Sequence, residues 1–248
     1  MLLMAVSSTT YGKPHRTTSE WQHHYLSETK VLTMPLTAAE FRDAVKVCSS
    51  HAEMMDLVES QLFDRLPVAF STEEELFLAV RAHLEKTLGA EPESVGLVGS
   101  AALGFSIAPQ NFTRDLLPGS DLDFVVISPA LFDRYWHVLL RWGHPVRHHV
   151  PRDAEKWFNS RKDEIFWGWL DPEKLHFRGV NRPRLLRELR GLQQVWFETF
   201  RSLGGIFPGT QVATRPVSAR LYRSKMHLLH YQANGLMKTR LRLLKDAT

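Results

Sequence analysis

The chain has 248 residues, 44% of them hydrophobic and 23% charged, which is enough length and apolar content to bury a core and excludes a wholly disordered protein. Its 31 Lys+Arg against 27 Asp+Glu leave a formal charge of +4, too mild by itself to mark a nucleic-acid binder. The single cysteine, Cys48, excludes an intrachain disulfide, and no apolar run approaches the roughly 18 residues a membrane helix needs.

Residues 1–35 read as a flexible arm. Ser7 to Lys30 is rich in Ser, Thr, His and charge, and only Trp21 and Tyr25 offer docking surface. Met1 to Val6 is too short for a signal sequence and lacks a basic start, so a soluble cytoplasmic protein with no membrane partner is expected.

Thr37 to Leu66 is predicted helical. Thr37 and Glu40 form a capping-box pattern, Phe41, Val45, Cys48, Met55, Leu62 and Phe63 recur at roughly helical spacing, and Pro67 ends the run. Ser71-Thr72-Glu73-Glu74 is a second capping-box pattern, opening a helix whose buried face is Leu76, Phe77, Val80 and Leu84 and whose stop is Gly89. Ser94 to Val98 reads as a strand leading into Gly99-Ser100. Ala101 to Ser120 reads as a loop broken by Pro109, Asn111, Pro118 and Gly119.

Asp121 to Ser128 is predicted to be a strand with Leu122, Phe124 and Val126 on one face and Asp121, Asp123, Val125 and Ile127 on the other. Beyond Asp123 both faces are apolar, which places the strand centrally with cover on both sides. Ser128-Pro129 opens a helix that stops at Gly143. A basic loop with His144, Arg147, His148, His149 and Arg152 follows. It lacks the cysteine or carboxylate partners of a zinc site and reads as a solvated loop. Asp153 to Trp169 and Pro183 to Leu203 are predicted helices, the second broken by Gly204-Gly205. Thr210 to Tyr222 is predicted extended, with Val217 to Tyr222 as its best strand. Ser224 to Lys245 is a basic amphipathic helix.

Three segments follow from this reading: the arm at 1–35, a core at 36–180, and a helical C-terminal part at 181–248 with one short strand. Arg178, Arg182, Arg184, Arg187 and Arg190, and the basic residues of the last helix, read as solvated faces or as polyanion contacts. Trp157, Trp167 and Trp169 read as core or as base-stacking surface.

Chemistry concentrates at one place. Asp121 and Asp123 lie two apart on a strand, so both carboxylates point to one side with Cα atoms roughly 6–7 Å apart. Two anions so close repel unless a cation lies between them, and Mg²⁺ prefers carboxylate and phosphate oxygens. Gly99 lets the backbone approach phosphate closely, and amide N–H groups with the Ser100 hydroxyl can donate to it. Phosphates held by Gly-Ser and metal held by Asp-x-Asp belong to one mechanism, in-line attack on a metal-bridged phosphate.

Gly99-Ser100-Ala101-Ala102-Leu103-Gly104 and Ser120-Asp121-Leu122-Asp123 resemble the signature of the DNA-polymerase-β-like nucleotidyltransferase superfamily. The resemblance covers about residues 71–127 and reaches the C-terminal helices loosely. It implies an α/β (α+β) nucleotidyltransferase fold, a small mixed sheet flanked by helices. The implied activity moves a nucleoside monophosphate from an NTP to a hydroxyl of a nucleotide, RNA or protein, with Mg²⁺ or Mn²⁺. The branches it suggests are bacterial second-messenger synthases and AMP-transferring antitoxins. By position, Asp121 and Asp123 would ligate metal, and Gly99, Ser100, Gly104 and Ser120 would contact the nucleotide.

Such proteins usually add a third carboxylate from a later strand. The best later strand here, Val217 to Tyr222, carries no acid and has Arg215, Arg220 and Arg223 in and around it. The acids after Asp123, among them Asp163, Glu164, Asp171 and Glu173, fall in predicted helices or loops. Three alternatives stay open: one of these acids reaches the metal, the acceptor is activated differently, or the fold no longer catalyses and is a nucleotide- or oligonucleotide-binding sensor or partner subunit with Arg220 gripping phosphate.

Overall fold

The structure, a computed structural model, describes residues 35–63, 65–143, 152–175 and 183–245. Most of the expected arm, His144, Arg147, His148, His149, Arg178 and Arg182 lie outside the described residues.

The architecture is mixed α/β. Helices flank a four-stranded sheet built from β1 (Val95–Val98), β2 (Leu122–Ile127), β3 (Trp169–Leu170) and β4 (Val217–Tyr222), in the order β1-β2-β4-β3. β2 pairs antiparallel with β1 and parallel with β4, and β4 pairs antiparallel with β3. The sheet therefore draws one of its two inner strands from beyond residue 180 and spans the boundary expected there.

β2 is central, as its two apolar faces require. On one face Leu122, Phe124 and Val126 join the main core, where Phe124 meets Phe200 at a ring separation of 6.0 Å. On the other, Val98, Val125 and Tyr222 pack with Leu228 in a smaller cluster edged by Phe63, Ile127, Trp169 and Tyr231. That second cluster covers only part of its face. At the end carrying Asp123 a cavity opens.

The N-terminal helical stretch is not one helix. α1 (Ala38–Val47) ends at Cys48, and α2 (His51–Val58) starts afresh from an N-cap at Ser50, whose side chain accepts from the Glu53 amide while Glu53 reaches back. Satisfying those free N–H groups at Ser50 favours a new start over continuation. The restart shifts the helical phase, so Met54 is fully buried and Met55 only partly. A π-helical turn, Glu59–Phe63, carries the chain onward.

The capping box expected at Ser71 does not form. Val68–Phe70 is a 3-10 turn that draws in the Ser71 and Glu73 amides, and α3 (Glu74–Leu88) begins from Glu73 with no side-chain cap. Glu73 instead accepts from Gln211 Nε2 at 2.8 Å. Phe77, Val80 and Leu84 are buried as expected, and Gly89 ends α3 at φ +63°. The region expected as loop from Ala101 begins with a helical turn, α4 (Gly99–Leu103).

α5 (Pro129–Gly143) opens as predicted, with Ser128 Oγ accepting from the Leu131 amide. α6 (Arg152–Phe166) stops three residues short of the predicted end, because Gly168 turns at φ +69° and releases Trp169 into β3. α7 (Pro183–Arg201) is followed by a short helix, α8 (Leu203–Ile206), through the glycines expected to be irregular. Another, α9 (Gln211–Thr214), sits where extended chain was expected. α10 (Lys225–Lys245) closes the described chain. Among the described residues no helix is long and apolar enough to cross a membrane.

Candidate functional site

The register of the sheet builds the site. Asp123 of β2 is paired with Val98 of β1 on one side and with Ser218 of β4 on the other. Gly99 follows Val98 directly, so the Gly-Ser turn and the Asp123 carboxylate are brought together by pairing, although 24 residues of chain separate them.

The two carboxylate oxygens of Asp123 have different surroundings. Oδ1 accepts a hydrogen bond of 2.5 Å from Ser218 Oγ, at the short end of the range for a hydroxyl donating to a carboxylate. Oδ2 faces Gly99, where a β-carbon would stand 3.1 Å away. Gly99 is at φ +68°, so the missing side chain satisfies two demands at once, a left-handed backbone and a cradle beside Oδ2.

Gly99, Ser100 and Asp123 line a cavity of about 400 Å³. Its other walls include Ser218 and Arg220 of β4, Tyr231 and Gln232 of α10, and Asp171 and Glu173 just after β3. A volume of this order suits a nucleotide-sized ligand.

Arg220 packs against two aromatic rings that themselves meet edge to face, Trp169 and Tyr231. Its guanidinium carbon lies 4.7 Å from the Tyr231 ring centre and 5.2 Å from that of Trp169. Its Nε is buried with no hydrogen-bond partner among the described residues. Burial disfavours the charged guanidinium, but Tyr222, Tyr231 and Asp171 more than offset this, so its pKa is raised and it stays cationic. Burial likewise pushes the Tyr222 hydroxyl up and keeps it neutral.

Two acids reach the cavity from an element the sequence reading did not contain. The pairing Leu170↔Leu221 brings Asp171 to the cavity wall, and a 3-10 turn, Pro172–Leu175, follows with Glu173. Asp171 is nine-tenths buried and engaged on both oxygens, by Lys174 Nζ at 2.7 Å and by the Glu173 amide at 3.2 Å. Burial, and then Asp171 itself, raise the pKa of Glu173.

Of the seven residues singled out in the sequence, four line the cavity: Gly99, Ser100, Asp123 and Arg220. The other three lie around it. Asp121 is exposed immediately before β2 and does not line the cavity. Ser120 Oγ accepts from the Leu117 amide at 3.0 Å and shapes the turn before Asp121. Gly104 ends α4 at φ +85°, where a β-carbon would meet Val68, so its role is to turn the chain. Arg215 Nη1 donates to the Leu117 and Ser120 carbonyls at 2.9 and 3.2 Å, fixing that turn against the start of β4.

Sequence reasoning missed Ser218 and Tyr231 and the placement of Asp171 and of Trp169, which was read as core or base-stacking surface within a helix and lies in β3 at the cavity's edge. Ser218 was legible only through its alternation with Arg220 along β4, once the parallel pairing with β2 is known.

The residues present fit a divalent cation held in part by ligand. Among the described residues no group of three His, Cys, Asp or Glu could hold a metal. Of the Asp-x-Asp pair, Asp123 lines the cavity, and the cradle at Gly99 leaves space beside its Oδ2. Mg²⁺ commonly accepts one or two carboxylates and completes its shell with phosphate and water. Compared with protein-family models, curated proteins and solved structures, the chain matches none.

Proposed function

We propose that the chain has a nucleotidyltransferase-type fold whose cleft binds a nucleoside triphosphate with Mg²⁺ or Mn²⁺ and transfers the nucleoside monophosphate to a hydroxyl acceptor. The observation carrying this reading is that Asp123 and the Gly99-Ser100 turn, far apart in sequence, open into one cavity across a single strand pair. The cation, when bound, would neutralise charge on the phosphates. The chain's own contributions follow from its groups. Gly99 and Ser100 offer backbone N–H groups and a hydroxyl to phosphate oxygens. Asp121 and Asp123 offer carboxylates to the metal. Arg220 supplies a fixed positive charge farther along the same wall, and Tyr231 supplies an aromatic surface. The acceptor class is a hydroxyl on a nucleotide, an RNA end or a protein.

One observation favours a second reading, a binding-only sensor or partner subunit. Ser218 occupies the β4 position beside Asp123, Arg220 follows on the same face, and β4 carries no acid. A single experiment separates the two. Purified chain is incubated with each labelled NTP and Mg²⁺ or Mn²⁺, alone and with nucleotide, RNA and protein acceptors, and binding is measured by calorimetry in parallel. Incorporation that is lost in the Asp121→Asn, Asp123→Asn double variant supports transfer. Tight binding without turnover supports the sensor. Wild-type turnover and binding in the double variant would overturn both.

A further inference from the structure

We infer that the hydroxyl acceptor is the end of a single polynucleotide strand, and that the strand lies along α10 on a stripe of Tyr231, Gly235, Lys238 and Arg242 before entering the cavity. The inference rests on the hydroxyl-acceptor reading above and names the class of acceptor.

The stripe follows from spacing. Tyr231, Gly235, Lys238 and Arg242 stand at i, i+4, i+7 and i+11 of one helix, so they share a face of α10. Tyr231 and Gly235 line the cavity. Lys238 and Arg242 are exposed, and they carry the same face about 10 Å beyond Gly235 by helix rise.

Charge singles out this face. Among the described residues lining the cavity, three carboxylates, Asp123, Asp171 and Glu173, stand against the one guanidinium of Arg220. A polyanionic backbone finds no favourable path through that wall. Outside the cavity the balance reverses, because α10 contains no acidic residue. Lys225 is paired with Glu59, and Arg240 donates to the Lys46 carbonyl at 3.2 Å. Lys238 and Arg242 have no such partner among the described residues. A basic residue in the last turn, as Arg242 is, also complements the helix dipole, but that effect fades within one turn and Lys238 stands two turns from the end.

Gly235 is an independent sign. Glycine inside a helix is destabilising relative to alanine. Gly235 has no positive φ, and a β-carbon there would meet nothing within 4 Å, so neither backbone nor packing calls for glycine. It is exposed at the cavity wall, where the missing side chain lets a ligand approach the helix closely. A second wall comes from Ser106, Ile107, Ala108 and Pro109, and the 3-10 turn Pro109–Asn111 packs beside α10. A basic track with an aromatic residue at its head is the arrangement that holds single strands. A bilayer cannot follow the stripe into this concavity.

The test is fluorescence polarisation of the full chain with a 5′-labelled twelve-nucleotide oligoadenylate, at several KCl concentrations and without NTP. The wild type is expected to bind, with an affinity that falls as salt rises. Lys238→Ala with Arg242→Ala is expected to lose roughly tenfold at low salt and to make the salt slope shallower by about 1.4, which is about 0.7 for each phosphate contact removed. Lys86→Ala with Arg134→Ala removes the same charge beside a different cavity and is expected to bind like the wild type. Gly235→Leu is expected to keep or raise the melting temperature, leucine being the better helix former, while weakening strand binding roughly fivefold. No binding of the oligonucleotide at low salt, an equal loss in the Lys86, Arg134 pair, wild-type binding in Gly235→Leu, or stronger binding to phosphatidylserine vesicles than to the oligonucleotide overturns the inference. Any of these results with NTP binding retained in calorimetry leaves the reading of the cleft standing. Strand binding on the stripe with no NTP binding in the wild type overturns that reading and the acceptor role together.

Discussion

Gly99 and Asp123 face each other across the first strand pair so closely that a β-carbon on the glycine would stand 3.1 Å from Oδ2 of the carboxylate. The contact joins the end of β1 to the start of β2. Gly99 also has φ +68°, a conformation that costs a non-glycine residue about 1–2 kcal/mol. Gly99→Ala is therefore expected to do two separable things. It lowers stability by about 1–2 kcal/mol, read by urea denaturation. It also pushes Asp123 Oδ2 out of its cradle and weakens metal–nucleotide binding by tenfold or more. A variant that is destabilised by this amount yet binds Mn²⁺ and nucleotide like the wild type would remove Gly99 from the site.

Arg215 acts on the same site from behind. Its Nη1 holds the carbonyls of Leu117 and Ser120, and the Leu122 amide bonds to the Pro216 carbonyl at 2.8 Å, so the turn that delivers Asp121 is clamped to the base of β4. Hydrogen bonds to a charged donor contribute about 1.5–3 kcal/mol, and here that stability is local. Arg215→Ala is expected to raise amide exchange from Leu117 through Leu122 and to make this turn the first site of limited proteolysis. Cooperative unfolding of the sheet should shift by less. Uniformly faster exchange across β1, β2 and β4 would instead make Arg215 a global stabiliser.

Much of this arrangement was legible in the sequence, and the missing parts share a cause. The central strand Leu122–Ile127 was readable because alternation with apolar residues on both faces has few other solutions. The stop at Gly89 and the Ser128-Pro129 start were readable because caps are local chemistry. A local signal was also present at Ser50-His51-Ala52-Glu53, a full capping box, but the apolar spacing running through it suggested one long helix. At Ser71 the local signal was present and did not decide the structure, because the preceding 3-10 turn took the Ser71 amide that Glu74 would have capped. β3 has two residues, too few for any periodicity, and it exists through pairing with β4. The site follows the same division. Gly99, Ser100 and Asp123 sit in contiguous motifs that a sequence displays, and all three line the cavity. Ser218, Asp171, Trp169 and Tyr231 join through register and helix packing, which a single sequence does not carry.

Behind the cleft, Glu164 sits in a buried pair with Arg161 at 2.7 Å, and its pKa is pushed up to about 6, chiefly by burial and in spite of that arginine. Its ordinary value is 4.5. Between those two values the folded chain holds the proton more tightly than the unfolded chain. The Glu164 contribution to stability is therefore fully present below the lower value, falls as pH rises toward the upper one, and levels off above it. Glu164→Gln removes this titration. The expected result is a smaller loss of stability from about pH 4.5 to about pH 6.5 in the variant than in the wild type, from urea midpoints at several pH values. Parallel profiles for the two proteins would show that Glu164 keeps an ordinary pKa in the folded chain.

Gly168 is the residue on which the cavity's far wall turns. It follows α6 at φ +69°, its amide bonds to the Ile165 carbonyl at 3.0 Å, and its own carbonyl accepts from the Arg223 amide at 2.9 Å. A β-carbon there would overlap the His227 ring, which cannot swing freely because His227 Nδ1 and Ser224 Oγ share a 2.7 Å hydrogen bond at the start of α10. Gly168→Ala should therefore lose about 1–2 kcal/mol from the backbone alone, with a further loss from the overlap. Adding His227→Ala should recover the second part and not the first, a positive coupling between neighbouring sites that a double-mutant cycle measures. Because Trp169 and Asp171 follow this turn directly, the single variant should also weaken ligand binding through displacement of the ring that Arg220 packs against. Additive effects of the two substitutions would mean that His227 yields without cost, and the tight turn at Gly168 would then be set by backbone conformation alone.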